Sequence, residues 1–143
     1  MFLGEYSHTL DSKGRLTIPA RYRAGLASGL VITKGYDPCL VVYPAAAWAA
    51  LAERVAGMPA ASRTVRSVSR WVFGSAFEAN LDKMGRVLIP SFLRDYAGIA
   101  EEAMIVGGNT YFEVWSPARL QEMAAHDAQN LETTLEEFTR MSV

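Results

Sequence analysis

Residues 10–19 read LDSKGRLTIP and residues 81–90 read LDKMGRVLIP, so Leu, Asp, Gly, Arg, Ile and Pro recur at an offset of 71. The correspondence resumes downstream after a two-residue slip, with Ile32, Gly35 and Pro44 matching Ile105, Gly108 and Pro117. A repeat of this kind constrains the architecture before any local propensity is weighed. Six identities in ten positions, followed by the same apolar–Gly–apolar–Pro layout, identify the 143-residue chain as a tandem duplication. Its length suits one ordinary domain or two very small ones joined together.

Each copy opens with a strand-like run (Phe2–Leu10; Ser75–Leu81) and then a tight turn at Asp-x-x-Gly. Asp11 and Asp82 are suited to accept backbone N–H bonds in an Asx turn, while Gly14 and Gly85 supply a residue at positive φ. A short strand follows and ends in Ile-Pro; Pro19 and Pro90 lack a ladder donor and suit the first turn of a short helix. A hairpin comes next in each copy: Leu30–Thr33 with Cys39–Tyr43, then Ala103–Val106 with Tyr111–Trp115. Pro44 opens a helix that Gly57 and Pro59 close. A second helix is expected over Ser62–Phe73, with Arg63, Arg66 and Arg70 in one stripe and Val65, Val68 and Val72 opposite. Ser116 and Pro117 read as N-cap and first residue of a C-terminal helix. That helix is free of Gly and Pro to Met141, with Leu131, Leu135, Phe138 and Met141 as its apolar stripe and Glu132, Glu136 and Glu137 outward. The domain expectation is a first module with its trailing helix at 1–58, a linker helix at 59–74, a second module at 75–117 and a helical tail at 118–143.

Half of the residues are hydrophobic and 20% are charged, which suits a globular chain with a real core. The single cysteine, Cys39, excludes an internal disulfide framework and fits a reducing, cytosolic setting. The polar residues of MFLGEYSHTLDSKGR argue against a signal peptide, and no apolar run is long enough to span a bilayer. The net charge of −1 is an average over unlike halves. Residues 1–75 hold nine Lys/Arg against four Asp/Glu, a balance of +5; residues 76–143 hold five against eleven, a balance of −6. Such asymmetry hints at nucleic-acid contact or at association between unlike surfaces.

FLGEYSHTLDSKGRLTIPARYR, GYDPCLVVYP, LDKMGRVLIPSFLRDYAG and NTYFEVWSP, in that order, resemble the MraZ family of transcriptional regulators over nearly the whole chain. The repeated Asp-x-x-Gly-Arg module is also similar to the wider AbrB/MazE group of swapped-hairpin DNA-binding domains. The resemblance implies a β-rich α+β fold in which two tandem AbrB-like modules form a small split β-barrel with flanking helices. It further implies a sequence-specific regulator of transcription, a repressor acting at repeated elements upstream of its own division and cell-wall gene cluster. Ring-like homo-oligomers and a cytoplasmic, nucleoid-associated location are implied in the same way.

Arginine and lysine neutralise phosphates, and arginine also reads guanine with both arms of its fork. The expected central contacts to double-stranded DNA are Arg15 and Arg86, each at the start of a strand after a tight turn. Lys13 and Lys83 are expected on phosphates, with Asp11 and Asp82 orienting the loops through charge-assisted hydrogen bonds together with Gly14 and Gly85. AbrB-like modules also tend to use a basic residue four positions after the proline, which here is Arg23 and Arg94; Arg21 has no counterpart, since the second copy carries Phe92 in its place. The blander reading of an Asp/Arg pair at a turn is a surface ion pair of little energetic weight. The Arg63/Arg66/Arg70 stripe has two readings, DNA phosphates or the acidic surface of a neighbouring subunit, and charge asymmetry within one chain favours the second.

An enzyme finds little raw material. His8 and His126 are far apart, Cys39 lies in an apolar strand-like run, and no Ser/His/Asp set, phosphate loop or zinc spacing appears. No cofactor, metal, membrane or small-molecule substrate is expected. Two further alternatives remain: an antitoxin-like module whose segment Asp127–Met141 wraps a protein partner, and an architectural nucleoid protein without sequence choice.

Overall fold

The computed structural model describes residues 1–142; Val143, the last residue of the expected tail, lies outside them. The first copy runs β1 (Glu5–Thr9), β2 (Arg15–Thr17), α1 (Ala20–Arg23), β3 (Leu30–Lys34), β4 (Leu40–Pro44), α2 (Ala45–Ala56) and α3 (Arg63–Gly74). A short 3-10 turn at Ala24–Leu26 extends α1. The second copy repeats the order as β5 (Phe77–Ala79), β6 (Arg86–Leu88), α4 (Ser91–Ala97), β7 (Glu102–Gly107), β8 (Phe112–Trp115), α5 (Pro117–Gln129) and α6 (Leu131–Met141).

The copies are interlocked rather than laid end to end. The first strand of each pairs with the third strand of the other: Tyr6 on β1 lies opposite Ile105 on β7, and Phe77 on β5 lies opposite Ile32 on β3. With the hairpins β3–β4 and β7–β8 joined through β4 and β8, this gives one antiparallel sheet of order β1-β7-β8-β4-β3-β5. β2 and β6 form a separate antiparallel ribbon, one strand from each copy.

Among the described residues the strands form an open sheet and a separate ribbon, with no closed barrel. The six-stranded sheet is open, with β1 and β5 at its edges, and the isolated bridge Leu10–Leu16 links its β1 end to the ribbon. β2 and β6 are three residues long and run into Pro19 and Pro90, which have no N–H to carry a ladder further. The result is a mixed α/β architecture of eight strands and six α-helices among the described residues.

The ribbon still covers one face of the sheet. Alternation along β2 and β6 sends Leu16 and Val87 inward, where they join Ile18, Ile89, Ile32, Val42, Ile105, Phe112 and Val114 in one core. Burying each such side chain stabilises the fold by about 1.5–3 kcal/mol, so the ribbon is anchored by its inner face and displays the other. β3 is buried on both faces because α3 covers its back. There the hydroxyl of Thr33 donates to the Val72 carbonyl and meets the Ser75 hydroxyl at 2.9 Å.

Two sequence readings need correction. Pro44 and Pro117 are not equivalent: Pro44 is the N-cap of α2, whereas Ser116 caps α5 and Pro117 is its first residue. The hairpin loop of the second copy is one residue shorter, four residues against five, which moves the helix start by one. The C-terminal helix also breaks in two. Asn130, at φ −109°, sits between α5 and α6, and its side-chain amide donates to the His126 carbonyl at 2.9 Å. That local bond competes with helix continuation without any Gly or Pro.

Candidate nucleic-acid interface

The two Asp-x-x-Gly-Arg turns close in the same way. Gly14 N–H donates to the Asp11 carbonyl and Gly85 N–H to the Asp82 carbonyl, each at 3.0 Å. Both glycines have positive φ, +85° and +74°, where a side chain is strained. One oxygen of Asp11 accepts the amides of Lys13 (3.0 Å) and Arg15 (2.9 Å), and one oxygen of Asp82 accepts those of Met84 and Arg86, both at 2.9 Å. The remaining oxygen accepts the arginine Nε, at 2.6 Å for Arg15 and 2.9 Å for Arg86. Each aspartate therefore fixes both the turn and the arginine that leaves it. The backbone amide of Arg15, then its side chain and the Lys13 amide, hold the Asp11 carboxyl down to about 2 against partial desolvation. The Arg86 amide leads the same set of contacts in depressing Asp82.

The ribbon brings the two turns together. Arg15 lies opposite Leu88 and Arg86 opposite Thr17, so all four project from the outer face while Leu16 and Val87 project inward. Diagonal neighbours in such a pair are about 7–8 Å apart. The proximity is visible in a cross-copy ion pair, Arg86 Nη1 to Asp11 at 3.6 Å. Side-chain exposure is 34% for Arg15 and 25% for Arg86, enough to leave part of each fork accessible while its base is held. Among the described residues, the terminal nitrogens of Arg15 make no hydrogen bond. Lys13 and Lys83 are exposed at the turn tips.

Arg23 and Arg94, four positions after Pro19 and Pro90, lie against the turns of the opposite copy. Each is half-buried, and its Nε donates to the carbonyl of the isoleucine before the proline, Ile18 at 3.0 Å and Ile89 at 2.9 Å. Each guanidinium lies over the turn glycine of the other copy: Arg94 would lie 2.8 Å from a Cβ on Gly14, and Arg23 would collide with one on Gly85. The same turns are tied across copies by Ile18 N–H to the Gly85 carbonyl (3.0 Å) and Ile89 N–H to the Gly14 carbonyl (2.9 Å). These arginines brace the partner turn.

Sequence reasoning passed over Thr17 and Leu88, which flank the arginines on the outer face; Met84, at which the two loops differ in sequence, is exposed at the tip of the second turn. The period-two alternation of a strand was a sufficient signal for the first two. Arg63 and Arg70 are exposed on α3, while Arg66 Nη1 donates to the carbonyls of Ala60 and Ala61 at 3.0 and 2.9 Å. Cys39 is buried, and burial followed by the charge of Glu113 pushes its thiol far above the usual range. No helix among the described residues is long and apolar enough to cross a membrane.

Two tandem β-rich modules that exchange strands and share a ribbon with paired, braced arginines on its outer face define a duplicated ribbon-display protein. The chain belongs to the MraZ family. Residues 1–71 and 72–141 each match the family described as "MraZ protein, putative antitoxin-like". It is similar to proteins named transcriptional regulator MraZ. That of Roseiflexus castenholzii is 48% identical over 129 residues, 90% of each chain. That of Moorella thermoacetica is 41% identical over 143 residues, 100% of each chain, and that of Acetivibrio thermocellus is 36% identical over the same span.

Proposed function

We propose that this chain is a DNA-binding regulator of transcription whose contact surface is the outer face of the β2–β6 ribbon. The observation that carries the reading is the pair of arginines at diagonal positions of one two-stranded ribbon, each held at its Nε by an ionised aspartate. A two-stranded ribbon fits the major groove of B-DNA, and a fork whose base is already fixed loses little freedom on meeting a guanine edge or a phosphate. Arg15 and Arg86 make the central contacts. Lys13 and Lys83 lie on phosphates to either side, and Arg23 and Arg94 keep the turns rigid and add their charge beside them. The names of the relatives support the same reading.

Beyond this, the chain acts as a repressor at repeated elements upstream of its own gene cluster, in the cytoplasm and on the nucleoid, as a homo-oligomer. Several ribbons on one particle engage spaced repeats with an avidity gain of about 10²–10⁴. The reciprocal pairing of β1 with β7 and β5 with β3 supports reading the fold as a swapped-hairpin exchange within one chain, in modules spanning 1–58 and 75–117.

The test is DNA binding by the double variant Arg15→Ala/Arg86→Ala on the segment upstream of the chain's own reading frame, beside random DNA at the same salt. Loss of preference for the upstream segment, with the thermal transition unchanged, is expected. Affinity and preference both at the wild-type level overturn the assignment. Lys13→Ala/Lys83→Ala should instead weaken both DNAs together and flatten the log–log salt dependence by about 2.

A further inference from the structure

The two copies differ around the ribbon in one consistent way. Met84, Leu88 and Phe92 are 67%, 44% and 49% exposed, whereas the first copy carries Lys13, Thr17 and Arg21 at the same three places, 71 positions earlier. Of these apolar residues only Leu88 stands on a strand, on the outer face between the buried Val87 and Ile89. Single exposed leucines are ordinary on a protein surface, so exposure alone assigns Leu88 no role. Its partner across the ribbon does.

Leu88 lies directly opposite Arg15. The bonds from Ile89 N–H to the Gly14 carbonyl and from Ile18 N–H to the Gly85 carbonyl fix the alternation of the ladder. Arg15–Leu88 and Thr17–Arg86 therefore fall at non-hydrogen-bonded positions, where paired Cβ atoms are about 4.5–5.5 Å apart. The two guanidinium groups differ as well. Arg86 Nη1 reaches Asp11 at 3.6 Å, whereas Arg15 is held at Nε and its terminal nitrogens make no hydrogen bond among the described residues. One end of the ribbon pairs the freer fork with an exposed leucine, and the other pairs the more engaged fork with a threonine.

That spacing has a counterpart in DNA. Successive bases rise about 3.4 Å along a strand, so with the Arg15 fork on a guanine edge the side chain beside it faces the neighbouring base pair. Among the base edges of the major groove thymine alone offers a methyl group, which an apolar side chain recognises. The Thr17 hydroxyl both donates and accepts, and so distinguishes little. We propose that Leu88 is a specificity-determining residue, an inference that rests on the ribbon being the DNA-contact face. Its side chain packs on the methyl group of a thymine in the base pair next to the guanine held by Arg15. The Arg86/Thr17 end carries no such preference.

The experiment measures binding of the full chain to the duplex upstream of its own reading frame, prepared once with thymine and once with deoxyuridine, which lacks only that methyl group. A random duplex prepared both ways is the reference. The wild type is expected to bind the deoxyuridine form of the upstream duplex more weakly by about fourfold or more, with no such difference on random DNA. Leu88→Ser, its fold checked by circular dichroism, should bind the two upstream duplexes alike, while Thr17→Ser keeps the wild-type difference. Equal binding of both upstream duplexes by the wild type, an equal loss on random DNA, or a thymine preference that survives Leu88→Ser overturns the proposal. So does a preference that Thr17→Ser removes. Wild-type binding by Arg15→Ala/Arg86→Ala sinks the ribbon reading itself; loss of binding by that variant, with the thymine preference intact in Leu88→Ser, refutes Leu88 alone. A second measurement needs no variant. Single deoxyuridine substitutions and single N7-methylated guanines, placed through the upstream duplex, locate the bases to which the wild type is sensitive. A sensitive thymine is expected in the base pair adjoining a sensitive guanine, and sensitive thymines found only away from such guanines contradict the pairing of Leu88 with Arg15.

Discussion

Replacing Gly14 with alanine probes the brace between the two copies. At φ +85° an alanine costs about 1–2 kcal/mol relative to glycine. The new methyl group also falls 2.8 Å from the Arg94 guanidinium. That side chain is flexible enough to move, but moving it breaks the 2.9 Å hydrogen bond from Arg94 Nε to the Ile89 carbonyl, a loss of about 0.5–1.5 kcal/mol. The expected total is about 2–3 kcal/mol. With a urea slope of about 2 kcal/mol/M, the unfolding midpoint falls by about 1 M. Gly74→Ala is the control: its added carbon meets nothing within 4 Å and its φ is not positive, so the midpoint should hold or rise slightly. Arg94→Ala supplies the second leg of a double-mutant cycle. If the methyl displaces Arg94, this substitution costs less in the Gly14→Ala background than in the wild type. An unchanged midpoint for Gly14→Ala, or equal costs in the two backgrounds, refutes the cross-copy brace.

Three other outcomes follow from the same geometry. Asp11 is depressed by its turn contacts, so its stabilising effect is complete above the unfolded carboxylate range near 4 and disappears as pH falls through about 2; urea midpoints across that window should fall less steeply for Asp11→Asn. Thr33→Val removes the hydroxyl that donates to the buried Val72 carbonyl between α3 and β3, while the Ser75 hydroxyl keeps its bond to the Trp71 carbonyl, and chemical denaturation should show a loss of about 1–3 kcal/mol. Cys39, buried with a raised thiol, should react with a chromogenic disulfide only as fast as the chain unfolds; rapid labelling of the folded protein contradicts its placement.

Much of this was legible in the sequence because its physics is local. The Asp-x-x-Gly-Arg turn specifies its own hydrogen bonds, and the hairpins and the caps of α3 and α5 follow from patterning and from Ser62 and Ser116. What escaped was the relation between the copies. Nothing in the residues near Arg23 says that it covers Gly85, 62 positions away, because that contact exists only once β2 and β6 have paired. The strand order escaped for a related reason: which strands become neighbours depends on partners supplied by the other copy. The break at Asn130 was missed because the stop came from a side-chain amide rather than from the Gly or Pro that usually marks one.

Hydrogen exchange on the DNA-bound and free chain tests most directly where the duplex lies. Slowed exchange confined to the amides of residues 11–17 and 82–88 is expected when the upstream segment binds. Protection centred instead on α2 and α3, with those two turns unchanged, would contradict the ribbon as the contact surface.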